Sequence, residues 1–177
     1  IRILRLIARL NIGGPAIQAI TLSSELSKDQ YQTLLVCGSL SPGEGDMTYL
    51  AIEKGVRRFI VKELGRNISL LDDLKSLFII RKIIKRFKPD ILHTHTAKAG
   101  TLGRLAVLSL RVPILTSKKI RVFHTFHGHT FHSYFNRLKT FIFIRVERFL
   151  ARFSDRIIVV SEQQKEEICG TFKIAHE

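Results

Sequence analysis

Histidines concentrated in one short stretch offer the most evident chemistry in this sequence. Four of the seven lie between His124 and His132, in the run Phe-His-Thr-Phe-His-Gly-His-Thr-Phe-His. A strand predicted over residues 121–126 leads into this run, so alternation places His124 and His127 on opposite faces. An imidazole fixed at a strand end can donate to a sugar hydroxyl or a developing anion. A purely structural cluster is the alternative, but the strand-end position favours function.

A second polar cluster follows an earlier strand, predicted over residues 90–93. His93 and His95 are two residues apart, so they point to the same side, and Thr96 and Lys98 come next, near a helix start. Zinc binding is one interpretation, although no third ligand is evident. Strand-end histidines bonded to the backbone, with a solvated Lys98, are the other.

A glycine pair, Gly13 and Gly14, lies between the first predicted strand and the first predicted helix. Glycine lets the backbone approach a ligand closely, and a helix N-terminus favours phosphate. The fingerprint G-x-G-x-x-G is absent, which disfavours a dinucleotide-binding site. A tight turn that needs positive φ is the alternative interpretation.

These residues must be positioned by an alternation of strands and helices. Apolar patterning predicts strands over residues 2–8, 31–38, 58–62, 90–93, 121–126 and 156–160. It predicts helices ending near residues 27 and 55, and others over 69–88, 97–110, 133–153 and 161–169. The fold class is therefore α/β, a Rossmann-like parallel sheet with helices on both faces. Ligands of such sheets bind beyond the carboxyl ends of the strands, where the histidines and glycines lie.

The helix after Ser69 has the clearest local signals. Ser69 is a candidate N-cap, Asp72 and Asp73 lie in the first turn, and Pro89 ends the helix. Its apolar residues recur at helical spacing and predict a core-facing stripe. The stripe comprises Leu70, Leu74, Leu77, Ile80, Ile84 and Phe87.

The helix predicted over residues 133–153 combines an apolar stripe with a basic one. The apolar stripe comprises Phe135, Leu138, Ile142, Val146, Phe149 and Phe153, and predicts the core-facing side. The basic stripe comprises Arg137, Arg145, Arg148 and Arg152, with Phe141 among them and Glu147 as the only acid. Either this face is simply solvated, or it docks on an anionic membrane surface.

Composition narrows the partners and the compartment. The chain has 177 residues, which suits one domain, and a formal net charge of +14, which calls for an anionic partner. Nucleic acid is disfavoured, because no reader motif is present and only three Tyr and no Trp could stack on bases. Two cysteines and no signal peptide predict a cytoplasmic protein, in contact with the inner face of the membrane if the basic stripe docks there.

Several motifs together resemble the N-terminal domain of the family 4 retaining glycosyltransferases, which have the two-domain GT-B fold. The matching segments are Asn-Ile-Gly-Gly-Pro at 11–15, Pro-Asp-Ile-Leu-His-Thr-His at 89–95, Lys-Ala-Gly-Thr-Leu-Gly-Arg at 98–104, Thr-Phe-His-Gly-His at 125–129 and Asp-Arg-Ile-Ile-Val-Val-Ser at 155–161. Each is weak alone, but their order along nearly the whole chain is specific.

The resemblance implies transfer of a sugar from a nucleotide sugar, commonly a UDP-sugar, to an acceptor hydroxyl with retention. It implies His127 as the catalytic residue beside the donor sugar. Gly13, Gly14 and His129 would contact the donor phosphates or sugar. The acceptor pocket, for a sugar or lipid-linked acceptor, would comprise His95, Thr96, Lys98, Glu44 and Asp46. No metal or other cofactor is expected.

The resemblance also implies what the chain lacks. The family continues into a C-terminal domain that binds the nucleotide sugar, so residues 1–177 are expected to be the acceptor-side half without it, inactive in isolation. Residues 116–119 look like an insertion. Two alternatives stay open: half of a sugar-nucleotide 2-epimerase, which has a similar fold, or a non-catalytic, membrane-docked subunit that recruits a separate donor-binding chain.

Overall fold

A computed structural model describes residues 1–111, 119–128 and 137–175, with the backbone alone at 137–139. The strands are β1 (Arg2–Ile7), β2 (Gln32–Gly38), β3 (Arg58–Val61), β4 (Ile91–His95), β5 (Arg121–Thr125) and β6 (Arg156–Ile158). The helices are α1 (Gly14–Ser27), α2 (Thr48–Glu53), α3 (Leu70–Phe87), α4 (Ala97–Arg111), α5 (Arg137–Ala151) and α6 (Glu162–Lys165), which continues as a π-helical turn over Glu166–Thr171. The order of elements predicted from the sequence is confirmed, whereas β4 extends two residues further than predicted, to His95.

The six strands form one parallel sheet in the order β3-β2-β1-β4-β5-β6. The predicted α/β class is thereby confirmed. The order reverses between β1 and β4, so the loops after these strands diverge and leave a crevice at the carboxyl edge. Register sets the neighbours at that edge: Ile7 lies opposite His95, and His95 lies opposite Thr125.

Helices cover both faces of the sheet, as predicted. Helices α3 and α4 pack through Ile80, Ile84 and Ala106 on the face that carries Leu4 and Leu92. Helix α5 lies beside α4 on the same face. On the other face, α1 packs against the strands together with α2. The sheet therefore separates a three-helix layer from a smaller layer that contains α1.

The orientation of α5 differs from the prediction. Ile142 and Phe149, predicted to face the core, are 53% and 48% exposed, whereas Glu147 and Leu150 are buried. The cause is an ion pair inside the protein: Arg104 of α4 donates to both carboxylate oxygens of Glu147 at 2.8 Å, and neither side chain is exposed. With Glu147 held against α4, the face with Ile142 and Phe149 is exposed, while Val146 and Phe153 of the predicted stripe are half-buried. Phe135 lies outside the described residues.

Helix α3 confirms its predicted cap but not its whole apolar stripe. The Ser69 hydroxyl accepts a hydrogen bond from the Asp72 amide, while Leu70 is 83% exposed and only the stripe's C-terminal part, at Ile80 and Ile84, is fully buried. Within the described ranges, no helix has both the length and the apolar character needed to cross a membrane. The predicted insertion at 116–119 falls outside the described residues except for Lys119.

Candidate functional site

The carboxyl edge brings the two predicted histidine clusters together. His95 Nδ1 and His127 Nε2 are 2.9 Å apart and share a hydrogen bond. His93 lies next to them, its ring centroid 4.2 Å from that of His95, and its Nε2 lies 2.8 Å from the Thr125 hydroxyl. Histidines that are separated by more than 30 residues in sequence therefore form one row beside the crevice.

His124 lies on the opposite face, as the alternation predicts. Its Nδ1 is 2.8 Å from the Thr94 hydroxyl, and its ring is fully buried beneath α4. The fit is close: a Cβ added to Gly100 would lie 2.5 Å from His124 Cε1. This geometry gives His124 a packing role beneath α4.

Burial keeps the histidine row neutral. It lowers the pKa of His93 to about 3, with Arg5 and His127 adding to the effect, and it lowers the pKa of His95 further. His127 is only half-buried, and desolvation lowers its pKa as well. At neutral pH each ring therefore carries a single proton and can donate one hydrogen bond and accept another.

Sequence reasoning missed Arg5 as part of this neighbourhood. It lies on β1 opposite His93, is buried, and donates from a guanidinium nitrogen to the Ser23 hydroxyl at 3.2 Å. Desolvation lowers its pKa to about 10. The sequence did contain an indication, because Arg5 lies inside the apolar run Ile-Leu-Arg-Leu-Ile. Charged side chains are rarely buried unless they have a partner, so an arginine in a buried strand suggests a specific role.

Thr96 follows His95 in a strained conformation. Its φ is 68°, a left-handed value that non-glycine residues seldom adopt, and its buried hydroxyl has no partner among the described residues. Strained backbone and an unpaired polar group occur together at functional sites. Among the same residues, no group of three or more His, Cys, Asp or Glu side chains is arranged to hold a metal ion.

The glycine pair lies next to the histidine row. Gly13 has φ 158° and ψ 164°, a conformation close to glycine-only, and Gly14 begins α1 with open space where a side chain would project. Pro15, Thr96, His124 and His127 are among the residues that line a cavity of about 110 Å³. The first turn of α1 and the end of β5 therefore face one small space at the carboxyl edge.

The predicted acceptor loop is tied to the loop that follows β1. The Glu44 carboxylate accepts from Arg9 Nε at 2.8 Å, and Asp46 accepts from the Thr48 amide at 2.7 Å. A backbone bridge joins Asp46 to Asn11. The hydrogen bond from the Ser41 amide is the largest cause that lowers the pKa of the Glu44 carboxyl, and the nearby Arg9 guanidinium lowers it further. Both acids lie near the glycine pair, although each already has a protein partner.

Lys98 and His95 also have partners within the protein. Lys98 pairs with Asp73 and donates to the Asn67 carbonyl, which connects the start of α4 to α3. The His95 side chain is fully buried, and its hydrogen bond runs to His127. The acceptor-binding roles of these two residues, like that of Thr96, stay predictions.

The predicted basic stripe is only partly available for docking. Arg145 is exposed and lies over the Phe141 ring at 5.6 Å, and Arg152 is exposed as well. Arg148 instead donates from Nε to the Phe172 carbonyl at 2.8 Å. His129 and the side chain of Arg137 lie outside the described residues.

Comparison with known proteins identifies the family. The profile of Glycosyltransferase Family 4 matches residues 12–177. This chain belongs to that family. An Escherichia coli protein named UDP-Gal:alpha-D-GlcNAc-diphosphoundecaprenol alpha-1,3-galactosyltransferase is 37% identical over 144 residues, which cover 81% of this chain and 34% of the relative. A Klebsiella pneumoniae protein from a cps region is 32% identical over 105 residues, 59% of this chain and 28% of that one. The chain thus spans about a third of the length of its curated relatives.

Solved structures share the fold of this Family 4 chain. Sucrose-phosphate synthase from Thermosynechococcus elongatus superposes with a TM-score of 0.69 at 13% identity, over 99% of this chain and 46% of that one. UDP-GlcNAc 2-epimerase from Neisseria meningitidis gives 0.64 at 15%, over 97% and 43%. A glycosyltransferase from Rickettsia africae gives 0.63 at 16%, over 98% and 40%. The predicted GT-B half-fold is confirmed.

Proposed function

We propose that the protein transfers a sugar from a UDP-sugar to a hydroxyl of a lipid-linked acceptor, with retention at the anomeric carbon. The name of the Escherichia coli relative supports this substrate class, because that protein uses UDP-Gal and an acceptor on diphosphoundecaprenol. The observation that carries the proposal is the cavity at the carboxyl edge, where Pro15, Thr96 and His127 meet. There a half-buried imidazole lies close to the N-terminus of a helix.

His127 acts on the donor sugar in this proposal. As the bond between the anomeric carbon and the diphosphate oxygen breaks, its electrons leave with the diphosphate and the sugar becomes cation-like. The acceptor oxygen then bonds to the same face of that carbon, and its proton passes to the departing diphosphate oxygen. A neutral His127 that is hydrogen-bonded to a sugar hydroxyl keeps the sugar ring in place, and it adds no positive charge beside the developing cation.

Gly13 and Gly14 contribute at the diphosphate end. Gly13 has no side chain to cover the first turn of α1, and the space above Gly14 is open. Amide groups at a helix N-terminus favour an approaching phosphate. Because these contacts reach only the phosphates, we place most of the affinity for the nucleotide in parts of the longer relatives that this chain does not match. The 177-residue chain alone should then bind UDP no more tightly than about 1 mM, which calorimetry can measure.

The test is a product assay on a protein of the relatives' length. UDP-galactose and GlcNAc-diphospholipid are incubated with enzyme, and the product is analysed for a new α-linkage. Formation of the α-linked disaccharide lipid, and its loss in His127→Ala, is the expected result. Incorporation of solvent deuterium at C2 of UDP-GlcNAc without transfer would instead identify a 2-epimerase. Absence of both activities in a folded protein would favour the non-catalytic subunit.

Docking on an anionic membrane surface belongs to the same proposal. The exposed face of α5 presents Arg145 and Arg152 beside Phe141, Ile142 and Phe149. Helix α3, in the same layer, exposes Leu71, Leu74 and Phe78, with Lys75, Lys82 and Lys85 on the same side. Apolar side chains that enter the headgroup region, flanked by cations that attract acidic lipid, characterise an interfacial helix surface.

Vesicle sedimentation tests the docking face. The protein should sediment with vesicles that contain acidic phospholipid, less so at high salt, and not with neutral vesicles. Arg145→Gln/Arg152→Gln should weaken sedimentation several-fold. Lys54→Gln/Arg57→Gln, which removes the same charge near β3, should not. Arg148 is left intact because it bonds to the Phe172 carbonyl. An equal loss of vesicle binding in both double variants would show that net charge alone causes the binding, and would contradict a specific docking face on α5.

A further inference from the structure

His95 is the most enclosed member of the histidine row. Its side chain has no exposed surface, and it lies between the rings of His93 and His127. Its Nδ1 faces His127 Nε2 at 2.9 Å, while its Nε2 is buried without a hydrogen-bond partner among the described residues. The protonation state of a ring enclosed in this way constrains the half-buried His127 to which it is hydrogen-bonded.

A single proton occupies the bond between the two neutral rings, and it can sit on either side. If His95 Nδ1 carries it, His127 Nε2 accepts, and the proton of His127 must then lie on Nδ1. If His127 Nε2 carries it, His95 Nδ1 accepts, and the proton of His95 must lie on Nε2. The first arrangement leaves a lone pair unpaired at the buried Nε2 of His95. The second leaves an N–H unpaired there.

The two costs are unequal. Orphaned N–H groups are rarer in protein interiors than acceptors with spare capacity, and an unpaired buried donor loses the full hydrogen bond that water would have provided. The arrangement with an unpaired lone pair is therefore the more stable one. It leaves His127 with an N–H at Nδ1, an atom that has no hydrogen-bond partner within the described residues.

We propose that His95 is a positioning residue that fixes His127 as the Nδ1–H tautomer, so that His127 presents a hydrogen-bond donor to an oxygen of the bound sugar. The identity of the ligand as a sugar rests on the proposed function, but the tautomer does not. Without His95, an isolated histidine favours the other tautomer, with its proton on Nε2. His127 would then offer a lone pair where the sugar oxygen needs a donor.

A matched pair of substitutions separates the hydrogen bond from the volume of the side chain. His95→Asn keeps an amide N–H the same number of bonds from the backbone as Nδ1, whereas His95→Leu places a methyl group there. Nitrogen-15 spectra of the histidine rings near pH 7.5 report the tautomer directly. Wild-type protein and His95→Asn should show His127 protonated at Nδ1, and His95→Leu should shift it to Nε2.

Turnover should follow the tautomer. In a protein of the relatives' length, His95→Leu should lower kcat about tenfold, as is usual when the partner that orients a functional histidine is removed. His95→Asn should stay within about threefold of wild type. KM for the donor should change less than kcat in either variant, because a hydrogen bond that strengthens in the transition state contributes mainly to kcat.

Two results would overturn the assignment: an Nε2-protonated His127 in the wild-type protein, or identical tautomers and rates in the Asn and Leu variants. The wild-type spectrum decides even if His95→Leu fails to fold. If the protein shows the expected tautomer yet transfers no sugar, the proposed function fails while the role of His95 stands.

Discussion

Two histidines three residues apart, His124 and His127, end in opposite environments because they lie on opposite sides of the same sheet. His124 is closed beneath α4, hydrogen-bonded to Thr94 and in close contact with Gly100. His127 is half-buried, bonded to His95 and next to a small cavity. Both residues border that cavity, but the His124 ring is fully buried, whereas part of the His127 side chain is exposed.

The difference extends beyond the two rings. The three-helix side is closed by a buried ion pair between Arg104 and Glu147 and by glycines that let α4 approach the strands. Buried polar atoms without a hydrogen-bond partner among the described residues occur on both sides of the sheet, for example on Arg5 and His95 on the α1 side and on Arg104 and His124 on the three-helix side. Unpaired polar atoms cost stability, and those of Thr96 and His124 border the cavity that His127 also lines.

The largest expected effect is on the packed side. Glu147→Ala leaves the Arg104 guanidinium buried without its counter-charge, and we expect a loss of about 3–5 kcal/mol in the free energy of unfolding. Chemical denaturation measures it. Arg145→Gln, an exposed position on the same helix, is the control and should change stability by less than about 0.5 kcal/mol. A loss below about 1 kcal/mol for Glu147→Ala would mean that the pair does not hold α4 to α5.

Substitution of His127, on the α1 side of the sheet, should lower the turnover rate. His127→Ala should lower kcat about 10²-fold, or about 2.7 kcal/mol in the barrier, with little change in nucleotide affinity. His124→Ala should mainly lower the melting temperature. Steady-state kinetics and thermal melts on both variants make the comparison. Near-normal turnover in a folded His127→Ala protein would remove His127 from the site.

Acid should destabilise the protein through the buried histidines. Burial lowers the pKa of His93, His95 and His124 in the folded state, so the unfolded chain binds more protons below its own histidine pKa of about 6.5. These histidines therefore do not lower the free energy of unfolding well above a pH of about 6.5. Below that pH the free energy of unfolding falls by about 1.4 kcal/mol per pH unit for each buried histidine. Denaturant titrations at pH 6 and pH 5 should show the decline.

A substitution at His124 tests how much of this pH dependence of stability comes from the three-helix side of the sheet. His124→Asn should reduce the decline by about 1.4 kcal/mol per pH unit. His127→Asn should reduce it less, because that ring is only half-buried. Equal slopes for the wild type and His124→Asn would indicate that His124 titrates normally in the folded state.

The smallest effect tests a purely local signal. Ser69→Ala removes the hydroxyl that accepts from the Asp72 amide and should cost about 1 kcal/mol. Ser109→Ala, inside α4, is the control, because its hydroxyl bonds only to a carbonyl one turn earlier. Equal melting temperatures for the two variants would show that packing alone holds the start of α3.

Local patterns carried much of the fold and part of the site. Alternation at Thr125 and His127 was enough to separate the two faces of β5, and the Ser69 cap was readable because all its atoms lie within four residues. The glycine pair and both histidine clusters could be placed at one edge, since parallel strands bring their carboxyl ends together. The roles predicted for those residues remain predictions.

Partners distant in sequence could not be predicted from periodicity. Arg104 and Glu147 are 43 residues apart, and their pairing accompanies an orientation of α5 in which Ile142 and Phe149 are exposed rather than core-facing. Lys98 could not be assigned to Asp73, nor Arg148 to the Phe172 carbonyl, because many surface positions suit a cation equally well. A buried charge has few acceptable partners, but only the packed chain shows which one lies within reach.

The sequence by itself determined the elements, their order and the edge where chemistry collects, because hydrophobic periodicity, caps and strand alternation are properties of neighbouring residues. Only the tertiary structure decided that His95 is hydrogen-bonded to His127, that Arg5 lies near them and that α5 exposes Ile142 and Phe149. Those outcomes depend on which polar groups come into contact once water is excluded. Such contacts form between different helices and strands, so the pattern within one helix or strand does not predict them.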